Sequence, residues 1–141
     1  MAAEHASKEL TEFLEFLADR ITLKGWNRFR GGLDVSNDET GTETFYTTFN
    51  DDEFEIIFHV STCLPYTNDE PQQLPRKRHI GNDVVVVVFQ DEGSDPFTPE
   101  HISSHFNHAF FVIEPCTQGG VTRYRYARER ERERETKSKS R

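Results

Sequence analysis

The sequence predicts an α/β fold, and three stretches carry that expectation. Leu10, Phe13, Leu14, Leu17 and Ile21 recur at steps of three and four, the spacing of one helix face. Residues 43 to 49 and 54 to 60 are rich in Phe, Tyr, Thr, Ile and Val and read as two paired strands. Val84 to Phe89 is an unbroken apolar run of six residues, which reads as a strand covered on both faces at the centre of a sheet.

Taken in chain order, residues 8 to 21 form an amphipathic helix, with Ser7 or Thr11 available as its cap. Gly25 to Gly41 is rich in Gly, Asn, Asp and Thr and reads as a loop or irregular strand. Only Asn50-Asp51-Asp52-Glu53 separates the next two strands, so they pair as an antiparallel hairpin. A polar segment from Asn68 to Asn82 leads into the valine run. Thr98-Pro99-Glu100 offers a cap, a proline in the first turn and an acid near the positive helix end, so a helix is expected over 99 to 106. Ala109 to Ile113 closes as a strand. This order implies parallel crossovers, with helices on both faces of a mixed sheet. After Pro115 the chain turns polar and then alternates Arg and Glu from Arg128 to Glu135, a pattern with little net helical support, so a frayed or disordered tail is expected. The expected organisation is a helix and connector over 1–24, a domain over 25–114 and a charged tail over 115–141.

Composition narrows the function. Of the 141 residues 34% are apolar and 30% charged, enough for one modest core. The net charge is −8, but residues 123 to 141 hold nine Lys and Arg against four Glu, which leaves −13 for residues 1 to 122. So acidic a body opposes nonspecific nucleic-acid binding, which needs clustered cations, and suits a basic partner face. The two cysteines, Cys63 and Cys116, have no metal or redox spacing, so a reduced intracellular compartment and no disulfide are expected. The first residues, Met1 to His5, carry an acid and no apolar core of a secretory leader, so a cytoplasmic location is expected. No apolar run approaches the roughly 20 residues of a membrane-spanning helix.

The segment with chemical promise is Arg76-Lys77-Arg78-His79-Ile80-Gly81-Asn82-Asp83, a basic cluster in an acidic body directly before the valine strand. Its plain structural reading is a helix end, with Gly81 as a C′ cap and the cations at the negative end of the helix dipole. Three further groups of residues accompany it in order: Phe58-His59-Val60-Ser61-Thr62, Phe97-Thr98-Pro99 and Ser104-His105-Phe106. Gly31-Gly32-Leu33-Asp34 and Thr40-Gly41-Thr42-Glu43 match as well. Together, over about residues 29 to 113, the chain resembles the catalytic domain of the RapGAP family, to which tuberin is related.

That resemblance implies a G-domain-like α/β fold and a partner, a Rap-like small GTPase that brings its own GTP and Mg; the chain itself needs no cofactor and hydrolyses no nucleotide alone. It implies that Asn82 is an asparagine thumb, a carboxamide inserted into the GTPase site to orient the attacking water. Ras-type enzymes use a Gln carboxamide for that water, and Rap-like GTPases lack it, so the partner supplies the amide. A carboxamide both donates and accepts, whereas Asp at the same place would bring a charge beside the γ-phosphate. His79, Arg78 and Lys77 match positions that contact the GTPase or support the catalytic helix, against the plain reading of solubilising charge. No arginine finger is implied for Arg30, Arg76 or Arg78.

Two features depart from the family pattern. Pro75 falls where the helix before the thumb should run, so that helix must start or kink there. After Glu114 the family's later strand, its Phe-Gly-Pro-Pro-like segment and its final helices have no counterpart, so the domain reads as incomplete at its C-terminal end, with part of the core uncovered. A shortened domain that docks on a GTPase, or pairs with a relative or a second copy, without stimulating hydrolysis is therefore the competing expectation. A different class is offered by His101, His105 and His108, whose steps of four and three would share one face of a helix and could hold zinc or copper. That spacing alone assigns no metal site.

Overall fold

The computed structural model describes residues 6–68, 72–102 and 104–130. The chain divides into two compact units, residues 1–80 and 81–141.

The first unit is a helix on an antiparallel sheet. Helix α1, Lys8–Leu17, opens at Ser7, whose Oγ accepts the Leu10 N–H at 3.1 Å, and buries Phe13 and Leu14. It stops four residues short of the expected end, because Ala18 is extended at φ −157° and ψ 166° and the chain enters strand β1, Asp19–Thr22. The override is tertiary. β1 forms a ladder with β2, Glu43–Phe49, and Arg20 bridges Glu43 at 2.5 Å and Glu15 at 3.3 Å with its guanidinium over the Phe45 ring. Ile21 therefore belongs to a strand, where its branched Cβ is favoured.

The expected hairpin is present. β2 pairs with β3, Phe54–Phe58, from Phe45 opposite Phe58 to Phe49 opposite Phe54. Its turn places Asn50, Asp51 and Asp52 in the left-handed region, which Asn and Asp tolerate better than most side chains. One core cluster, Leu14, Ala18, Phe45 and Val60, joins helix and sheet, and a second, Leu23, Leu33 and Leu64, packs loop residues against Ile57 of β3. Burying a side chain such as Phe45 contributes about 1.5–3 kcal/mol. The Gly25–Gly41 stretch is an ordered loop. The Asp34 carboxylate accepts the N–H groups of Asn37, Glu39 and Ser36, and the Glu39 and Asn37 bonds above all hold its pKa below the usual carboxylate value. Gly41, at φ +98°, is required by packing, since a Cβ there would collide with the Cys63 carbonyl oxygen.

The second unit holds a three-stranded sheet in the order β4-β5-β6: β4 is Val85–Phe89, β5 Ala109–Gln118 and β6 Val121–Arg130. β4 and β5 are parallel, the expected crossover arrangement, and β5 and β6 form an antiparallel hairpin through Gly119 and Gly120, both at positive φ. The strands thus fall in two sheets, one wholly antiparallel and one mixed. Three local expectations are corrected here. The valine strand lies at the end of its sheet, not the centre, and only one face is covered: Val86 is 9% exposed, but Val85 is 51% and Val87 41% exposed. Successive strand side chains point to opposite faces, and a uniform run hides which face is wet. Residues 115 to 130 are not a frayed tail but complete the β5–β6 hairpin, in which the strand register sets Arg125 beside Glu114 at 3.8 Å and Arg128 over the Phe111 ring. Residues 131 to 141 of the expected tail lie outside the described residues.

The third correction concerns the helix expected over 99 to 106. Only a single 3₁₀ turn forms, Pro99–His101, and Ile102 is already extended. The Ser104 hydroxyl donates to the Gly81 carbonyl and accepts the Phe106 N–H, and the Asn107 amide donates to the Asp83 carbonyl. Such side-chain to backbone bonds compete with a helical ladder. Among the described residues no helix is long and apolar enough to cross a membrane.

Candidate functional site

The basic cluster is a helix. α2 runs Leu74–Gly81, with Pro75 as its second residue. Proline costs nothing there, because the first-turn N–H groups have no partner within the helix, so α2 carries Pro75 in its first turn and not in its interior. Just before it, Gln73 folds back at φ +47° and its carboxamide clasps Thr67, accepting the Thr67 N–H at 3.2 Å and donating to the Thr67 carbonyl at 2.6 Å.

Two side chains then tie α2 to the body of the first unit. Arg76, 8% exposed, donates from Nε to the carbonyls of Leu64 and Pro65 at 3.2 Å each and from Nη2 to Leu64 at 3.0 Å, and its guanidinium lies over the Tyr66 ring. It is neither solvated nor aimed outward, which suits a fastening and not a finger. In the last turn, the His79 ring meets the His59 ring edge to face with centroids 5.2 Å apart. His59 Nε2 is 2.8 Å from the carbonyl oxygen of Gly31, at φ +54°, where a Cβ would come within 2.7 Å of Ile57. The motifs around Gly31, His59 and His79, far apart in sequence, therefore meet in a single stack.

The loop that carries Gly31 is itself fixed. Glu55 accepts the Phe29 N–H at 3.0 Å and the Tyr46 hydroxyl at 2.7 Å, and Arg28 lies 3.5 Å from Glu55. These bonds, that of Tyr46 first, hold the Glu55 carboxyl below its usual pKa. Desolvation, with the bond to Glu55, pushes the Tyr46 phenol up to about 12. Trp26 packs edge-on against Tyr46 and donates from Nε1 to the Phe29 carbonyl at 3.1 Å.

Lys77 and Arg78 are exposed, and Arg78 and His79 occupy the last turn, where the helix dipole favours cations by about 0.3–1 kcal/mol. Gly81 is the final helical residue and is not in the left-handed conformation, so it is no C′ cap; its carbonyl accepts from Ser104 Oγ at 2.5 Å. Asn82 follows in the turn before β4. Its side chain is exposed, and among the described residues no hydrogen bond occupies its carboxamide. The next carbonyl, that of Asp83, accepts from Asn107 Nδ2 at 2.5 Å. An amide that donates and accepts therefore stands in solvent between two fastened peptide groups.

Sequence reasoning singled out Asn82, His79, Arg78 and Lys77, and all four lie on one continuous segment. It placed Arg76, His59 and Ser104 in motifs without reading their fastening role, and it missed Asn107. Arg76 was legible only as charge, although an arginine two residues into a helix that faces a polar loop is suited to bonding carbonyls. The three histidines do not share a helix face, since the 3₁₀ turn ends at His101, whose Nδ1 instead accepts the Thr98 N–H at 3.4 Å. Among the described residues no group of three His, Cys, Asp or Glu is arranged to hold a metal ion.

The family model described as Rap/ran-GAP matches residues 1–138. Signal-induced proliferation-associated 1-like protein 1 of Mus musculus is 49% identical over 130 residues, 86% of this chain and 7% of that protein. The 1-like protein 2 of Homo sapiens is 50% identical over 118 residues, 82% of this chain and again 7% of the relative, so the chain spans a small part of the curated relatives it matches. A solved structure titled "Structure of the TSC2 GAP domain" superposes with a TM-score of 0.75 at 32% identity, over 91% of this chain and 70% of that one.

Proposed function

Because the chain belongs to the Rap/ran-GAP family, we propose that it is a GTPase-activating segment acting in the cytoplasm on a Rap-like small GTPase, with Asn82 as the residue that works on the partner's nucleotide. The observation that carries this reading is the exposed, uncommitted carboxamide of Asn82 at the end of a fastened helix. Inserted beside the γ-phosphate, its oxygen accepts a hydrogen bond from the attacking water while its NH₂ donates to a neighbouring oxygen, which fixes the angle of attack. GTP and Mg belong to the partner, and the chain contributes position and dipole, the two things phosphoryl transfer most needs. Lys77 and Arg78, exposed cations on an acidic body, provide the contact with the GTPase, and His79 holds the helix through His59.

The test is phosphate release from a GTP-loaded Rap-like protein with the wild-type chain and with Asn82→Ala. Stimulation by the first and its loss in the second support the thumb; equal stimulation by both defeats it. A second reading, a module that docks on a GTPase or on another copy without accelerating hydrolysis, is favoured by the exposure of Val84, Val85 and Val87 on and beside β4. Binding without stimulation by either variant would select it.

A further inference from the structure

We propose that Ser104 and Asn107 are positioning residues for Asn82, an inference that rests on the thumb reading above and names what aims the thumb. Asn82 lies in a turn, and turns deform unless their peptide groups are held. Both of its flanking carbonyls are held, and from the same short segment. Ser104 Oγ donates to the carbonyl of Gly81 and Asn107 Nδ2 to that of Asp83, each at 2.5 Å. The donors are themselves set. Ser104 Oγ also accepts the Phe106 N–H at 3.1 Å, and Asn107 is 1% exposed. On the C-terminal side of Asp83, the Val84 carbonyl accepts the N–H groups of His108 and Ala109 at 2.9 and 3.2 Å, so residues 104 to 109 run along the whole turn.

The arrangement has a mechanical consequence. With the carbonyls of residues 81 and 83 pinned, only the φ and ψ torsions of residues 82 and 83 lie between two held peptide groups, which narrows the directions open to the Asn82 Cα–Cβ bond. The chemistry of water activation needs that, since a displacement of 1 Å can cost a rate factor on the order of 100. It also accounts for the short 3₁₀ turn in a stretch with a good helix start: Ser104 and Asn107 use their side chains on the thumb turn, and a helix over 99 to 106 would aim them elsewhere.

Ser104→Ala, Ser104→Thr and Asn107→Ala test the proposal, Ser104→Ala first because Asn107 is buried and its truncation endangers folding. In phosphate-release kinetics with a GTP-loaded Rap-like protein, Ser104→Ala is expected to lower kcat about tenfold with KM within threefold of wild type, and Ser104→Thr, which keeps the hydroxyl, to restore it. A rise in KM with kcat unchanged would overturn the assignment, as would wild-type kinetics for Ser104→Ala. A second measurement does not depend on activation. Amide hydrogen exchange at Asn82 and Asp83 is expected to speed up at least tenfold in Ser104→Ala while the β4 and β5 amides keep their protection. Unchanged exchange at Asn82 would sink the bracket even if the thumb reading holds. Faster exchange with no stimulation by wild type would uphold the bracket and reject the thumb.

Discussion

Two segments of this chain open alike and end differently. Leu74–Gly81 and residues 98 to 107 each have proline in the first turn and basic or histidine side chains behind it, yet the first is a helix and the second forms one 3₁₀ turn before extending. The difference lies in where the side chains spend their hydrogen bonds. Arg76 reaches away from its own helix to Leu64 and Pro65, which leaves the helical ladder intact. Ser104 and Asn107 bond the backbone of another segment, and Ser104 bonds its own as well, which no helix geometry allows at once. One segment therefore presents a residue and the other steadies it, a division of labour set by short polar side chains and not by helix propensity.

The largest expected effect falls on the residue presented. Asn82→Ala should reduce stimulated GTP hydrolysis by at least about 100-fold, the usual cost of losing one preorganised polar group in a transition state. Its melting temperature should stay within about 1 °C of wild type, since the amide is exposed and makes no bond among the described residues. Thermal melting followed by single-turnover phosphate release checks both halves. A large loss of stability would mean that Asn82 belongs to the scaffold.

Next in size is the fastening of α2. Arg76→Ala leaves the buried carbonyl of Leu64 and its neighbour without their donor, and should cost about 2–3 kcal/mol in urea unfolding. Arg76→Lys should recover less than half of that, because an ammonium lacks the planar fork that serves two carbonyls and stacks on Tyr66. His59→Phe and His59→Ala refine the other tie. The phenyl ring keeps the contact with His79 and loses the Gly31 bond, so it should sit between wild type and alanine in stability, with a full span of about 1–2 kcal/mol.

Legibility followed the same division. The α/β class, the 43–60 hairpin and the parallel β4–β5 pair could be read because hydrophobic period and turn residues determine them locally. The segment from Arg76 to Asp83 stands out in the sequence because its residues are contiguous and its motif has order. What could not be read depends on partners distant in sequence. Ile21 left its helical pattern because β2 offered a ladder, and β4 sits at a sheet end because its neighbour on one side is β5 and no strand among the described residues pairs with the other. Residues 115 to 130 looked like a solvated charge run, but the alternation Arg123-Tyr124-Arg125-Tyr126 at period two is also the signature of an exposed strand, and Gly119-Gly120 was its turn. The fastening residues were hidden most deeply, for nothing in a serine or an arginine says which carbonyl it will meet.

The smallest expected effect concerns the segment that failed to become a helix. His101, His105 and His108 would offer three ligands only on a continuous helix face, and the chain extends at Ile102, between the first and second of them. His101 is also engaged locally, with Thr98 N–H on its Nδ1 and Phe97 against its ring at 5.8 Å. His105→Ala should therefore change stability by less than about 0.5 kcal/mol, the range of an exposed substitution away from special features. The sharper measurement adds zinc. Any rise in melting temperature with zinc should be the same for wild type and for His105→Ala, and emission spectroscopy of the purified chain should find less than one metal per molecule. A stoichiometric metal, lost on removing His105, would mean that the segment refolds into the helix its opening residues favour. In that state Ser104 could no longer face the Gly81 carbonyl, so metal and bracket exclude each other and a single titration followed at Asn82 decides between them.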